Sequence, residues 1–280
     1  MSTEEDGFVI DRILVAVDAT PGSAAVLETA AQLASEFNAE LNGVFVEDIN
    51  LLRLAGLPFA RELTWSTAME LRLDYQRMER TLRGYATHAQ QAVVKLTTQL
   101  KLHASLQVVR GLVVQELMRA AENADLFILG KGGNVRGARI GAIAGQVLQQ
   151  AQSSVLLVAS QIQPYRAVAV MTIFSDDERS GRVLNAAAHA ARAAHQRLLV
   201  LIPAAQASDY QRLREQARHS LGQGPLLVTY QALSAMELCF GQNILHDEGV
   251  GMMVIDAALA ATNGTEARLA KLACSILLVR

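Results

Sequence analysis

Between Asp125 and Val158 the chain reads DLFILGKGGNVRGARIGAIAGQVLQQAQSSVLLV, a glycine-rich stretch with Lys131, Arg136 and Arg139 set between two short apolar runs. Residues of these types at this spacing suit an anion. Glycine lets the backbone approach closely, unpaired N–H groups converge in such a turn, and a helix opening near Gly141 directs the positive end of its dipole there. A strand, this loop, a helix and a second strand have the layout of a phosphate cradle. The same composition also serves where a parallel strand simply turns into its helix, because glycine loops are weak motifs without context.

Such a cradle needs a sheet to hold it, and the preceding chain supplies one. RILVAVD at 12–18 is a short β-branched run suited to a strand buried on both faces. Thr20-Pro21-Gly22 signals a turn, Ser23 is placed to cap a helix over Ala24 to Phe37, and a second strand spans about Leu41 to Val46. Residues 49–66, broken by Gly56 and Pro58, read as an irregular packed excursion. A long amphipathic helix is expected over 67–100, its stripe made by Ala68, Leu71, Tyr75, Met78, Leu82, Tyr85, Ala89, Val93, Leu96 and Leu100. Strand three near Leu106 to Val109 and a helix from Val113 to about Asn123 complete the unit. Alternation of this kind predicts a doubly wound parallel sheet with its ligand site at the carboxyl ends of the strands, where Asp18, Val46 and Gly130 fall.

The pattern then restarts. After Gln161 to Pro164, which read as a linker, a strand at Ala167 to Phe174 precedes a helix that repeats the first one. Ser23-x-x-Val26-Leu27-x-x-Ala30-Ala31-x-x-Ala34 returns as Ser180-x-x-Val183-Leu184-x-x-Ala187-Ala188-x-x-Ala191. Strands near Leu198, Leu226 and Met252, helices at Asp209 to Leu221, Ala235 to His246 and Glu266 to Ala273, and a last strand at Cys274 to Val279 follow. Internal duplication accounts for this. Two domains, 1–160 and 165–280, are expected, the second lacking the long helix. Thr172 stands where Asp18 ends the first strand, and Asp256-Ala-Ala-Leu259 replaces Gly130-Lys-Gly-Gly133; a carboxylate there repels an anion.

Totals exclude several classes. With 280 residues, 51% hydrophobic and a net charge of −2, the chain has no overall attraction for nucleic acid or an anionic membrane. The start MSTEEDGFVIDR carries acidic residues where a signal peptide is basic, and no apolar run reaches a membrane span, so the expected location is cytoplasmic. Cys239 and Cys274 form no metal pattern and read as reduced, packed thiols.

These residues resemble the universal stress protein family in its tandem, two-domain form. ILVAVD, the helix after Pro21-Gly22, FVED, LGKGG and SVLLVA carry the resemblance, which covers nearly the whole chain. It implies two five-stranded parallel α/β sheets paired through their last strands as an internal pseudo-dimer, with a homodimer of chains as a further option. Some members bind ATP or AMP and others do not, so ATP or AMP is the implied ligand of the first domain, with none in the second. The binding pattern is Gly, two residues, Gly, nine residues, Gly, then Ser or Thr. Gly130 and Gly133 match, Gly141 follows only seven residues on, and the hydroxyl positions hold Ala142 and Ala144. The resemblance places Asp18 at the ribose and adenine end, Val46 and Leu129 against the base, and Gly130, Gly133, Gly141, Ala142 and Ile143 around the phosphates. Losing two hydroxyl donors removes ~1–3 kcal/mol, which Lys131, Arg136 and Arg139 could restore by turning inward.

No catalytic constellation accompanies the loop. His246-Asp247-Glu248 suits a solvated helix end better than a metal, and His88, His103, His189, His195 and His219 are scattered, with His189 expected to be packed or at an interface. The leading expectation is therefore a non-catalytic stress-response binding or signalling protein. The alternatives are a nucleotide-independent interaction module working through helix 67–100 and, third, a slow ATPase.

Overall fold

Short apolar runs become strands here because helices cover both of their faces. The computed structural model of the chain describes residues 8–18, 20, 22–58, 60–64, 69–72, 74–132, 140–159, 168–221, 225–233, 248–260, 269 and 272–280. The first half runs β1 (Arg12–Val17), α1 (Ser23–Phe37), β2 (Glu40–Asp48), α2 (Ile49–Ala55), β3 (Arg61–Thr64), β4 (Met69–Arg72), α3 (Tyr75–Leu100), β5 (Ala104–Gly111), α4 (Val113–Ala120), β6 (Leu126–Gly130), α5 (Ala142–Gln150) and β7 (Ser154–Val158). The second runs β8 (Ala169–Ile173), α6 (Ser180–Ala193), β9 (Arg197–Pro203), α7 (Ala207–Leu221), β10 (Val228–Leu233), β11 (Val250–Asp256), a helical turn Ala257–Ala260 and β12 (Ser275–Val279). The expected linker Gln161–Pro164 and helix Ala235–His246 lie outside the described residues. So does most of the helix Glu266–Ala273.

Ten strands form one sheet in the order β10-β9-β8-β11-β12-β7-β6-β1-β2-β5. Each half is a parallel five-stranded, doubly wound sheet with the same internal order, and the halves meet where β12 pairs antiparallel with β7. Leu277 lies opposite Leu156, flanked by Ile276 against Leu157 and Leu278 against Val155. All of them are buried. Two serines close this seam at its ends: Ala159 N–H donates to Ser275 Oγ at 3.1 Å, and Arg280 N–H donates to Ser154 Oγ at 3.2 Å.

On one face the core is continuous across the seam, because α1 and α6, the repeated helices, pack on each other. Their buried alanines, Ala30, Ala31 and Ala34 on one and Ala187, Ala188 and Ala191 on the other, allow close approach of the axes. His189 of α6 stacks on Phe37 of α1, with ring centroids 4.6 Å apart, and its Nδ1 lies 3.3 Å from Glu36 Oε1. The expected interface role of His189 is what the structure shows. On the other face each half keeps its own core cluster.

Residues 49–74 differ from expectation. The excursion begins as helix α2, capped by Asp48, whose Oδ1 accepts from Asn50 N–H at 2.8 Å. It continues as a hairpin in which Arg61 pairs with Arg72 and Thr64 with Met69. The long helix therefore starts at Tyr75, not 67, because Asp74 is its cap, accepting from Arg77 N–H at 3.0 Å, and Leu71 belongs to a strand. Its buried stripe is Leu82, Ala86, Ala89 and Val93, while Tyr75, Tyr85 and Leu100 are exposed. This stripe covers α1, α2, β2 and β5 of its own half. Arg110 at the end of β5 joins the buried Glu47 carboxylate at 2.7 Å to Glu79 of α3 at 3.0 Å, which fixes α3 over the strand ends. Ser23 also differs: it lies inside α1, Gly22 is the capping position, and Ser23 Oγ is buried without a hydrogen-bond partner.

Gly84 sits inside α3 with open space where a Cβ would go. Gly84→Ala should raise unfolding free energy by ~0.5–1 kcal/mol in urea titrations. Burial pushes the His189 pKa below the ordinary value near 6.5, with Arg192 acting the same way and Glu36 opposing. The unfolded chain then takes up this proton first, so the contribution is present above pH 6.5 and is lost as pH falls below it. His189→Gln should accordingly flatten the drop in urea midpoint between pH 7 and 5.5 relative to the wild-type chain.

Candidate functional site

The strand order of the first half reverses between β1 and β6, so the crevice beyond their carboxyl ends is where a doubly wound sheet binds ligands. Asp18 follows β1 and Gly130 ends β6, on its two sides. Val17 pairs with Phe45, which brings Val46 to the position beside Asp18. Val46 is half-buried and packs with buried Leu129 on the α4 and α5 face. Asp18 is exposed, and its Oδ1 accepts from Thr20 N–H at 3.0 Å and Thr20 Oγ1 at 2.7 Å. That turn holds the carboxylate at the rim.

The loop is closed by its own backbone. Lys131 N–H donates to Val158 O at 2.8 Å, and Gly141 N–H donates to Lys131 O at 2.9 Å. Gly132 has φ +92°, and a Cβ on it would meet Gly141 Cα and N at 2.9 Å. Two glycines are thus pressed back to back, a neck between the end of β6 and the start of α5; residues 133–139, with Gly133, Arg136 and Arg139 among them, lie outside the described residues. Gly141 is the capping residue of α5, with no side-chain cap. Its own N–H is spent on Lys131, so the first-turn amides of Ala142, Ile143 and Ala144 are the donors left to α5. Ala142 and Ile143 are exposed; Ala144 is buried.

Lys131 does not turn toward this crevice. It is 7% exposed, and its Nζ donates to Leu272 O in the second half. Burial pushes its pKa down, opposed by the neighbouring Cys274, and burial raises the Cys274 thiol to about 11. Cys274 is a free, buried thiol as expected, whereas Cys239 lies outside the described residues. The one basic residue of the loop that is described therefore does not make the inward turn that could have restored anion binding; it is bonded to the second half instead. Sequence offered no signal for this, since nothing in GKGG says which way a lysine stem runs.

The model for the Universal stress protein family matches residues 10–159, more than half of the chain. The chain belongs to the universal stress protein family. Among solved structures, a universal stress protein from Archaeoglobus fulgidus is similar over 96% of this chain and 98% of its own, with 12% identity and a TM-score of 0.66. A functionally unknown protein from Pseudomonas aeruginosa covers 97% of this chain and 93% of its own, at 15% identity and a TM-score of 0.56. Identities this low establish the shared fold alone. No curated protein matches the chain.

Within the universal stress fold, the equivalent crevice of the second half has a different chemistry. Val15 pairs with Ile128 and Thr172 with Val254, each two residues before Gly130 and Asp256. The register thus equates Thr172 with Val15, not with Asp18, and puts Ser175 at the Asp18 position. Thr172 is buried and donates to Val254 O at 3.0 Å. A cavity of about 550 Å³ remains, lined by Ser175, Asp177, Glu178, Arg179, Asp256 and Leu259 among others. Asp177 fills the start of α6. It accepts from the Arg179 and Ser180 amides at 3.0 and 2.9 Å and from the Ser175 and Ser180 hydroxyls at 2.6 and 2.8 Å. Burial alone would raise its pKa, but these bonds outweigh burial and hold it below the usual carboxylate range. Sequence analysis missed Asp177, although an Asp three residues before the Ser of a repeated helix is a readable cap signal.

A cavity of about 930 Å³ opens at the opposite, amino ends of the first half's strands, beside Arg119, Asp125, Arg182 and Arg280. Most of its charges are tied to structure: Asp125 accepts from the Asp11 and Arg12 amides, both at 2.9 Å, Arg182 and Arg280 bond backbone carbonyls, and Arg119 pairs with Glu116. His88, His103, His195 and His219 are exposed and scattered, and no group of His, Cys, Asp or Glu among the described residues could hold a metal. His246 and Asp247 lie outside the described residues. None of the described helices is long and apolar enough to cross a membrane.

Gly132→Ala should lower the unfolding free energy by ~1–3 kcal/mol, from the positive φ and the collision with Gly141 together. Gly141→Ala, whose Cβ would meet Gly132 Cα at 3.3 Å, should cost less; the pair can be compared by urea denaturation.

Proposed function

We propose that the chain is a non-catalytic binding protein of the stress response whose first half takes ATP or AMP in the β1–β6 crevice. The second half, a diverged copy of the same unit, takes none. The observation that carries this reading is the glycine neck. A positive-φ Gly132 pressed on Gly141 leaves no Cβ between these two backbones, and Gly141 opens α5 beside the crevice. Backbone amides and the helix dipole can serve a phosphate there without the hydroxyls that Ala142 and Ala144 lack. Asp18, Val46 and Leu129 stand on the remaining sides for ribose and base, with Gly130 at the strand end.

Charge supports the division between halves. Asp177 already satisfies the amides at the start of α6, and Asp256 sits at the strand end where the first half has Gly130. A phosphate there would meet carboxylates rather than free donors. The reading that α3 captures a protein partner has less support, because its buried stripe is used on its own half. Among the described residues, the crevice offers catalysis no candidate base apart from Asp18.

Equilibrium binding of labelled AMP and ATP tests the proposal. Asp18→Asn keeps the oxygen that Thr20 donates to and removes the charge, so it should weaken binding ~10-fold with the fold intact. Wild-type protein that binds neither nucleotide at millimolar concentration would end the proposal.

A further inference from the structure

The universal stress fold leaves Lys131 with no part in the crevice, yet all three of its polar groups are tied. Its N–H goes to Val158 at the end of β7, its C=O takes the Gly141 N–H at the start of α5, and its Nζ goes to Leu272 O before β12. Leu272 belongs to the second half and is itself buried. One residue thus joins the end of the last strand of one half, the capping residue of the helix that faces the crevice, and the backbone of the other half.

The tie has a counterpart running the other way. Arg280, which follows β12, donates from its guanidinium to Leu148 O in the last turn of α5 at 2.6 Å. Each half sends a cation across the seam to a carbonyl just before the other half's last strand. Only the first of these cations is adjacent to a glycine neck, because Ala257 stands in the second half where Lys131 stands in the first. The register fixes that equivalence through Gly130 and Asp256, which pair with Val158 and Val279 at the two strand ends.

We propose that Lys131 is a positioning residue through which the second half builds the ligand site of the first. Its buried ammonium anchors the loop neck on Leu272, and the neck in turn orients the first turn of α5. The second half thereby contributes to a site that it does not line. This rests on the reading of the β1–β6 crevice as the nucleotide site, but its structural core, the dependence of α5 on Lys131, does not.

The test uses the full chain. Lys131→Met keeps the stem and removes the donor; Lys131→Arg keeps a donor. In ligand-free Lys131→Met, amide hydrogen exchange over 141–147 should quicken ~10-fold or more while unfolding stays cooperative. AMP and ATP affinities should fall by one common factor, on the order of 10-fold, and Lys131→Arg should recover part of both. Exchange over 141–147 equal to wild type overturns the inference. So does an affinity loss that grows from AMP to ATP with exchange unchanged, which marks a direct phosphate contact. If wild-type protein binds neither nucleotide, the proposed function fails and the exchange result still decides the role of Lys131. Should Lys131→Met not fold, amine acylation of the wild-type chain decides it: Lys131 should resist labelling while Lys95 and Lys101 react, and equal reactivity refutes the tie.

Discussion

The antiparallel pairing of β7 with β12 is the constraint on which the rest of the molecule depends. Each half alone would end in a five-residue strand, a serine followed by four apolar residues, with an open edge, a surface that invites uncontrolled association. Paired, these strands become the middle of a ten-stranded sheet, and every residue of both is buried. Serines satisfy the backbone at the two ends of the pairing, and two cations cross it to carbonyls before the partner strand. Leu148 O, in the last turn of α5, lies among the carbonyls that lack an intrahelical donor, so an arginine there answers a need the helix itself creates. Burial lowers the pKa of both cations, as expected of charges partly removed from water.

The same pairing turns the two crevices to opposite ends of the strands, because the strands of one half run against those of the other. They are therefore free to differ, and they do. In the first half, glycines stand at the end of β6, at the turn after it and at the start of α5. In the second, Asp177 and Asp256 occupy the corresponding ground and are held there by hydroxyls, amides and, at 3.6 Å, the guanidinium of Arg179. One crevice presents donors; the other has consumed its own.

Much of this was legible in the chain. β-Branched runs gave the strands, and the return of the Ser23 to Ala34 pattern in Ser180 to Ala191 announced the second sheet, while the seam came only as what the family resemblance implied. Asp18 and Gly130 could be placed at the switch point from strand order alone. What could not be read depended on tertiary choices. Leu71 and Ala68 fit a helical stripe by spacing, but Asp74 caps the helix after them and Leu71 pairs across a hairpin. Thr172 was matched to Asp18 by its place in a run of letters, and only the pairing with Val254 shows the three-residue offset. The direction of the Lys131 side chain is set by a carbonyl 141 residues away.

Gly130 and Asp256 close the same strand of two like units within one covalent chain. An assembly of two identical chains carries every substitution twice, so it cannot lose one crevice without losing both. A single chain with two similar halves escapes that symmetry: a substitution in one half leaves the other unchanged. Partnership between the halves also needs no encounter between molecules, so it persists however dilute the protein becomes. Whatever the crevices hold, this chain delivers one glycine-lined and one carboxylate-lined version in fixed ratio with every molecule made.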